Sequence, residues 1–474
     1  MTDSREPRAT ERRVVLLTAT LTSFMTPFMA SSINIALPAI AKEFSLGAVT
    51  LTWVATAFIL PAAIFLLPFG RLADISGRKR VFAWGVAVFT VASVLCAFSP
   101  SAVTLIAFRI LQGIAAAMLF STGTAILTSV YPTGERGRVL GYNVGAVYMG
   151  LSLGPSLGGL MVQQLSWRSL FMGSAVLGVI TLVSLRQVRG EWAEAAGEGF
   201  DLAGTGIYAV SLTALMLGFS ALPATAGFGW IVAGAIGLAT FLGWELRQRH
   251  PVLDVRLLTG NAVFAFSSLA ALINYSANFG VTFLLSLYLQ YVKELSPQGA
   301  GLVLVAQPLI MSGLSPMAGR LSDRMEPRTL ASTGMACTAL ALLLLTSLGR
   351  ETSLSFIVAC LILNGVGFAL FSSPNTNAIM SSVERRFYGV ASAMTATVRM
   401  TGQILSMGTA MLLFALYIGS APITRENHHL FLASMHVALM IFTAVSVVGV
   451  FASLARGTLH SAIGRSGDSA TRKP

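Results

Sequence analysis

Long apolar stretches alternate with short polar loops along nearly the whole chain. A helix needs about 20 apolar residues to cross the roughly 30 Å of hydrocarbon in a bilayer. Fourteen stretches are of about this length, which predicts an all-α polytopic membrane protein. They lie at residues 14–41, 50–70, 81–99, 102–131, 138–163, 169–188, 202–222, 227–246, 261–292, 298–319, 328–349, 352–382, 388–418 and 429–455.

The composition agrees with a membrane protein. Hydrophobic residues make up 55% of the 474 residues and charged residues 11%, well below the roughly 25% charged share of soluble domains. The three cysteines fall in apolar stretches, at spacings that fit neither a disulfide framework nor a zinc site. The sequence also has no phosphate-binding loop motif of the Gly-x-x-x-x-Gly-Lys type. We therefore expect no enzyme activity, no use of ATP, no metal and no cofactor.

The net charge of +12 is explained by where the basic residues lie, without invoking nucleic acid. With a cytoplasmic amino terminus, all but seven of the 31 Lys and Arg are cytoplasmic. This asymmetry follows the positive-inside rule and predicts a multi-pass protein of the plasma (or bacterial inner) membrane, with both termini cytoplasmic. The first span is too long for a signal peptide and predicts an uncleaved anchor. The seven exceptions are Lys42, Arg168, Lys293, Arg350 and Arg425 outside, and Arg109 and Arg399 within spans.

Two short patterns occur twice at nearly the same offset. Residues 70–74 (Gly-Arg-Leu-Ala-Asp) are similar to 319–323 (Gly-Arg-Leu-Ser-Asp), and residues 125–130 are similar to 378–383. This similarity indicates two homologous halves, as in repeat-built transporters. The predicted organisation is a cytoplasmic leader at 1–13, a six-helix bundle at 14–188, a linker with two inserted helices at 189–256, a second six-helix bundle at 257–456 and a cytoplasmic tail at 457–474.

Glycines form two strips on the predicted fifth span. Gly150, Gly154 and Gly158 recur every fourth residue, while Gly141, Gly145 and Gly159 fall on roughly the opposite side. Small residues let membrane helices approach at backbone distance, so two neighbouring helices are expected to pack here. Pro155 cannot donate to the carbonyl of Leu151, which predicts a bend.

Together these patterns resemble the fourteen-span drug/proton antiporter family of the major facilitator superfamily, and the similarity runs nearly end to end. The resemblance implies two six-helix bundles plus two inserted helices, a fifth-span antiporter motif, and proton-coupled export. It is carried by residues 34–38, 70–79, 109–113, 141–159, 167–171 and 200–204.

The loop at 70–80 is a candidate gating element. Asp74 is placed to accept a hydrogen bond from Arg78 or a helix N-terminus, and Glu135 is a further possible partner of Arg78. The resemblance implies a cytoplasmic latch between the bundles, although a purely topological basic turn remains the alternative. In the second copy, Glu326-Pro327 replaces the basic end, which predicts a weaker latch. The candidate gating residues are Gly70, Asp74, Gly77, Arg78, Lys79, Gly319 and Asp323.

Two arginines fall inside predicted spans. A charge in the hydrocarbon is costly unless it is paired or lines a wet cavity. Arg109 is about 10 Å deep in the fourth span, and Gln112 shares its face. The resemblance ties Arg109 to proton movement, while a structural role remains equally open for Arg109 and for the deeper Arg399.

The proton carrier is not identified by the pattern. His436, early in the last span, titrates in the right range, but a lone histidine on an apolar helix is more often a packing residue. The coupling candidates are Arg109, Gln112, Glu135, Arg399 and His436, with Asp74 and Asp323 at the predicted inner mouth and Glu43 and Glu294 at the outer one.

No acid lies deep in any predicted span. In the similar family, exporters of cations usually carry an acid five places before Asn34, and here that place holds Met29. A lipophilic cation in a dry cavity needs a compensating anion. The charges therefore favour neutral, zwitterionic or anionic amphiphiles as substrates.

Adaptable and polar side chains on the spans are candidates for substrate contact, although lipid or core contact is the usual role of any single Met or Phe. The candidates are Met25, Phe28, Met29, Ser31, Asn34, Trp53, Tyr148, Asn274, Tyr275, Asn278, Gln307, Asn364, Asn375 and Gln403.

The leading functional hypothesis is a secondary transporter, expected to be a monomer in the lipid bilayer, that exports amphiphilic small molecules in exchange for protons. An importer or uniporter of organic anions, or a lipid-handling transporter, is the alternative.

Overall fold

The computed structural model describes residues 9–188, 190–193, 199–248, 255–322, 324–383 and 388–457. Within these residues every regular element is a helix. The first part contains α1 (Ala9–Phe44), α2 (Ala48–Ser76), α3 (Arg78–Ala97), α4 (Ala102–Val130), α5 (Thr133–Gln164) and α6 (Arg168–Leu185). They are followed by α7 (Leu202–Ala221) and α8 (Thr225–Glu245).

The remaining helices follow a short α9 (Arg256–Gly260). They are α10 (Ala262–Leu287), which continues into a π-helical turn (Tyr288–Val292), α11 (Pro297–Leu304), α12 (Ala306–Ser322), α13 (Pro327–Leu345), α14 (Leu354–Ser381), α15 (Tyr388–Tyr417) and α16 (His428–Ala455).

Fourteen spans are long and apolar enough to cross a membrane in the described residues, which confirms the predicted number. One of them differs from the uniform helix predicted at 298–319, because it consists of α11 and α12 with a break at Val305. Pro308 lies one turn beyond Leu304 and has no N–H to donate to the Leu304 carbonyl. The helix therefore stops and starts again at this point.

Short polar side chains begin several of these helices. Ser101 Oγ accepts from the Thr104 N–H at 3.3 Å, and the Ser101 N–H donates to Thr104 Oγ1 at 3.2 Å. Asp201 Oδ1 accepts from the Gly204 N–H at 2.8 Å at the start of α7. These contacts satisfy N–H groups that have no partner within the helix.

The described helices group into two compact units. One unit contains residues 9–248 together with 282–305 and 407–434. In it, α1 packs on α5, α2 and α3 pack on α4, and α6 packs on α3. Helix α7 packs on α8 and on α2, and α11 packs on α5. The ends of several helices of the second sequence half thus share a unit with the first half.

The other unit contains the described residues of 253–281, 306–406 and 435–474. In it, α14 packs against α12 and α13. Its core cluster joins Ala270 and Ala271 of α10 to Met335 of α13 and Phe371 of α14.

Candidate functional site

An ion pair closes the loop between α2 and α3. Arg78 Nε donates to Asp74 Oδ1 at 2.8 Å, and Arg78 Nη2 lies 2.8 Å from the same oxygen. Arg78 Nη1 donates to Ser129 Oγ of α4 at 2.7 Å. The basic residue of this loop therefore links the ends of α2 and α4.

The segment after α6 wraps the same loop. Lys79 Nζ donates to the Val188 carbonyl at 2.6 Å, and the Arg78 N–H donates to the Trp192 carbonyl at 2.8 Å. Glu191 Oε1 accepts from the Lys79 N–H at 2.8 Å, so a carboxylate stands at the N-terminus of α3, where it is favoured. Sequence reasoning missed Glu191, which follows no motif.

Gly77 is required in this loop by backbone angle and by space. Its φ of +114° lies in a region that side chains rarely adopt, and a Cβ there would overlap the Glu191 side chain. We expect Gly77→Ala to destabilise the protein by about 1–3 kcal/mol. The measurement is the thermal unfolding midpoint in detergent.

Gly70→Ala is the matched control, because a Cβ at Gly70 would lie 3.6 Å from Ser121 Cβ, an ordinary contact. Equal midpoints for the two variants would show that the Gly77 conformation is not needed.

The second copy of the loop motif is only partly described, and Asp323 lies outside the described residues. A Cβ at Gly319 of α12 would lie 2.9 Å from Ser373 Oγ of α14. Close by, Asn377 Nδ2 donates to Ser322 Oγ at 3.0 Å. This region joins α12 to α14.

Arg109 is fully buried in α4 among neutral groups. Its Nη1 donates to Gln112 Oε1 at 2.7 Å, and its Nε donates to the Val54 carbonyl at 3.2 Å. The guanidinium carbon lies 4.6 Å from the centroid of the Phe58 ring, and Gln112 Nε2 donates to Ser93 Oγ at 2.8 Å. The Nη2 atom is buried without a hydrogen-bond partner. None of these contacts to the Arg109 cation is made by a carboxylate.

Gly113 brings α2 close enough to form this network. A Cβ at Gly113 would overlap the carbonyl oxygen of Phe58. The backbones of α2 and α4 therefore touch one residue away from Gln112, which sets Val54 and Phe58 within reach of Arg109.

The other coupling candidates are dispersed. Arg399 is partly buried in α15, with Nε buried and without a hydrogen-bond partner. His436 Nε2 lies 2.5 Å from the Leu348 carbonyl, and Glu135 forms an ion pair of 3.6 Å with Arg138. The structure brings together Arg109 and Gln112 from this set.

Both acids predicted at the outer ends are paired with arginines. Glu43 Oε1 accepts from Arg168 at 2.6 Å, and Glu43 Oε2 accepts from Trp167 Nε1 at 2.7 Å. Glu294 lies 2.7 Å from Arg425.

One glycine strip of α5 packs on α1. A Cβ at Gly150 would overlap the Phe24 carbonyl oxygen, and one at Gly154 would overlap Ser31 Oγ. At Gly158, the distance from a Cβ to Ser32 Cβ would be 2.6 Å. This strip lets α1 and α5 meet at backbone distance.

The second strip makes a close contact at one end only. A Cβ at Gly159 would overlap the Pro297 carbonyl oxygen of α11, and Gly301 of α11 fits against the Pro155 carbonyl in the same way. At Gly141 and Gly145 a Cβ would meet nothing within 4 Å. The second neighbour is thus α11, reached at Pro155 and Gly159.

Among the substrate-contact candidates, Ser31 and Asn375 make contacts between helices. Ser31 Oγ lies between the carbonyls of Phe28, at 3.3 Å, and Gly150, at 3.4 Å. Asn375 Nδ2 donates to the Ser267 carbonyl at 3.1 Å. Their polarity is explained by the packing of α1 on α5 and of α14 on α10.

Three other amides are buried with unused hydrogen-bonding capacity. Neither carboxamide atom of Asn274 or Asn364 has a hydrogen-bond partner. Asn278 Nδ2 donates to the Asn274 carbonyl at 3.2 Å, and its Oδ1 has no partner. Of the remaining candidates, Met25, Phe28, Met29 and Asn34 are buried, while Trp53, Tyr148, Tyr275, Gln307 and Gln403 are partly exposed.

A second buried guanidinium, that of Arg456, was not singled out by the sequence reasoning. Its Nη1 donates to Asn375 Oδ1 at 3.0 Å, and its Nε donates to the Ser453 carbonyl at 2.9 Å. Burial among neutral groups, with Arg328 nearby, lowers its pKa. In the sequence, a basic residue that follows an apolar span looks the same whether its side chain is buried or exposed.

Comparison with known proteins gives consistent results. The family model described as Major Facilitator Superfamily matches residues 19–407. Riboflavin transporter RibZ of Clostridioides difficile is 30% identical over 84% of this chain and 87% of its own length. Multidrug resistance protein Stp of Mycobacterium tuberculosis is 28% identical over 88% of this chain and 78% of its own length. A crystal structure of a bacterial homolog of the human lysosomal transporter Spinster has a TM-score of 0.66 at 16% identity, covering 95% of this chain and 98% of that one.

Proposed function

The chain belongs to the major facilitator superfamily of membrane transporters, and on this premise we propose that it exports amphiphilic small molecules in exchange for protons. In this proposal it is a fourteen-span drug/proton antiporter whose termini are both cytoplasmic. The similarity to Stp, whose name describes multidrug resistance, supports export. The similarity to a riboflavin transporter supports a substrate that is not a simple lipophilic cation.

The geometry of α5 is the observation that carries the proposal of export. Its glycine strip packs on α1, and Gly159 and Pro155 meet α11 at backbone distance. In the family that the sequence resembles, this motif belongs to exporters. A contact made of backbone and small side chains separates and reforms without breaking ion pairs, which suits a helix that moves during alternating access.

Arg109 supports the proposal of coupling. A guanidinium with only neutral contacts raises the local potential and favours anionic or proton-releasing states of nearby groups. Because its Nη2 donor is unused, one further acceptor is accommodated at this atom without breaking the bonds to Val54 and Gln112.

Charge placement supports neutral, zwitterionic or anionic substrates. In the described spans the acids Glu11, Glu43, Asp74 and Glu245 all lie within three residues of a span end. The span interiors carry Arg109 and Arg399.

We propose that the partly exposed Trp53, Tyr148, Tyr275, Gln307 and Gln403 contribute to substrate contact.

Transport in everted membrane vesicles tests this function. We expect an anionic amphiphilic dye to accumulate when an inside-acidic proton gradient is imposed, at least about tenfold faster than ethidium, because a positive field disfavours a cation. Vesicles without the protein are the control.

Accumulation that persists after the gradient is collapsed would instead indicate uniport of organic anions. Preferential transport of ethidium would contradict the proposed charge selection.

A further inference from the structure

Pro38 leaves one carbonyl of α1 without its helical donor. Pro38 lies inside α1, and in a regular helix its N–H would donate to the carbonyl of Asn34, four residues earlier. Proline has no N–H, and its ring pushes against that carbonyl. The Asn34 carbonyl therefore needs a partner from elsewhere, since an unsatisfied carbonyl in a membrane interior is costly.

The partner is the hydroxyl of Ser286, near the end of α10. Ser286 Oγ donates to the Asn34 carbonyl at 2.7 Å, and Ser286 is fully buried. Gln290 Nε2 lies 3.2 Å from the next carbonyl, that of Ile35, and 3.2 Å from Ser286 Oγ. A chain of hydrogen bonds thus runs from Gln290 through Ser286 to α1, and the bonds in such a chain strengthen one another.

The π-helical turn occurs where these donors are needed. In it the Lys293 N–H donates to the Tyr288 carbonyl, five residues back, at 3.1 Å. Gln290 lies within this turn, and its side chain also donates to the Ser286 carbonyl at 3.3 Å. Single π turns inside α-helices occur frequently at functional sites. This one is combined with three hydrogen bonds that involve the Gln290 side chain.

We propose that Ser286 and Gln290 are positioning residues of the transport cycle that hold the carboxyl-terminal ends of α1 and α10 together through the carbonyl freed by Pro38. The contact is called here the Pro38 latch. It closes the predicted outer side when formed, and it separates when that side opens. This goes beyond the proposed export of amphiphiles, because it concerns the gate and applies to any substrate.

The chemistry of the latch suits reversible contact. Its donors and acceptors are neutral, so parting them exposes no charge to the membrane. Close by, α11 meets α5 through Gly159 and Gly301, which also involves no ion pair. A neutral hydrogen bond corresponds to about a fivefold change in an equilibrium constant. That is strong enough to bias a gate and weak enough to release it.

External labelling of a buried position tests the latch. The reporter is Ala300→Cys, because Ala300 is fully buried on α11, the helix that packs on α5. Native Cys96, Cys337 and Cys360 are replaced by alanine, and a membrane-impermeant maleimide is applied from outside. The labelling measurement needs neither substrate nor a proton gradient, so its result does not depend on whether the proposed export is correct.

We expect Ser286→Ala and Pro38→Ala each to raise the labelling rate about fivefold. The first removes the donor, and the second gives the Asn34 carbonyl a competing N–H from its own helix. Because both changes remove the same bond, the double variant should label no faster than the faster single variant. Ser276→Ala is the matched control, since Ser276 Oγ donates to the Leu272 carbonyl of its own helix at 2.7 Å.

Labelling rates unchanged in both single variants would overturn the latch. A double variant whose rate equals the product of the two single effects would overturn it as well, because the two residues would then act independently. If Ser286→Ala fails to fold, Pro38→Ala with the Ser276→Ala control still decides the question.

Discussion

Replacing Arg109 with methionine is expected to reduce proton-driven export to background, a loss of about 100-fold or more if the coupling group is removed, while substrate counterflow continues. Methionine keeps the length and apolar bulk of the side chain but removes the charge. Counterflow exchanges labelled for unlabelled substrate and needs no net proton movement. The pair of assays therefore separates coupling from substrate binding.

The same substitution should leave stability unchanged or raise it. Arg109 is fully buried and contacts Gln112, Val54 and Phe58, which are all neutral at the contacting atoms. Burying a cation without a counter-ion costs several kcal/mol. A neutral residue of similar volume avoids that cost, so the unfolding midpoint should not fall.

The unfolding midpoint of Arg109→Met in detergent checks this expectation. Cys96→Ala is the control, because Cys96 is a fully buried neighbour on α3 outside the hydrogen-bonded network and should leave export intact. If Arg109→Met lost counterflow and stability together, the arginine would be a structural residue and the coupling role would be abandoned.

Replacing Gly113 with alanine is expected to destabilise the protein by about 1–3 kcal/mol and to abolish export as well. The added Cβ would overlap the Phe58 carbonyl oxygen, which is backbone and cannot rotate away. The two helices must then separate, which moves Val54 and Phe58 away from Arg109. Elsewhere in a helix, exchanging glycine for alanine is favourable by about 0.5–1 kcal/mol.

Gly123→Ala is the matched control on the same helix, since a Cβ at Gly123 would meet nothing within 4 Å. We expect this variant to be at least as stable as the parent and fully active. The measurements are unfolding midpoints and vesicle transport for both variants. Similar behaviour of the two would contradict the close approach of α2 and α4.

Local patterns in the sequence were enough for several parts of the candidate site. From its position, Asp74 had two expected partners, Arg78 or a helix N-terminus, and it forms an ion pair of 2.8 Å with Arg78. The spacing of Arg109 and Gln112, three residues apart on one helix, predicted that they share a face, and they are 2.7 Å apart. Such pairs are separated by one turn, so helix geometry alone brings them together.

Contacts between distant segments were not predictable in the same way. Nothing in the sequence indicated that Asn375 Oδ1 accepts from Arg456, which follows α16 and lies 81 residues further along the chain. The sequence suggested a packing role for both glycine strips of α5, but Gly141 and Gly145 have open space beside them. In both cases the result depends on which helix lies alongside, and the spacing of residues along the sequence does not give that information.

The fourteen spans and the absence of acids from the interiors of the described spans follow from the sequence alone. These properties depend on whether each segment is apolar enough to enter the hydrocarbon, which is a sum over its own residues. By contrast, the packing of the helices is needed to see that Ser286 meets the carbonyl freed by Pro38, that Glu191 caps α3 and that Arg456 is buried. A hydrogen bond acts over about 3 Å, so its partners are chosen by how helices pack and not by the composition of either helix.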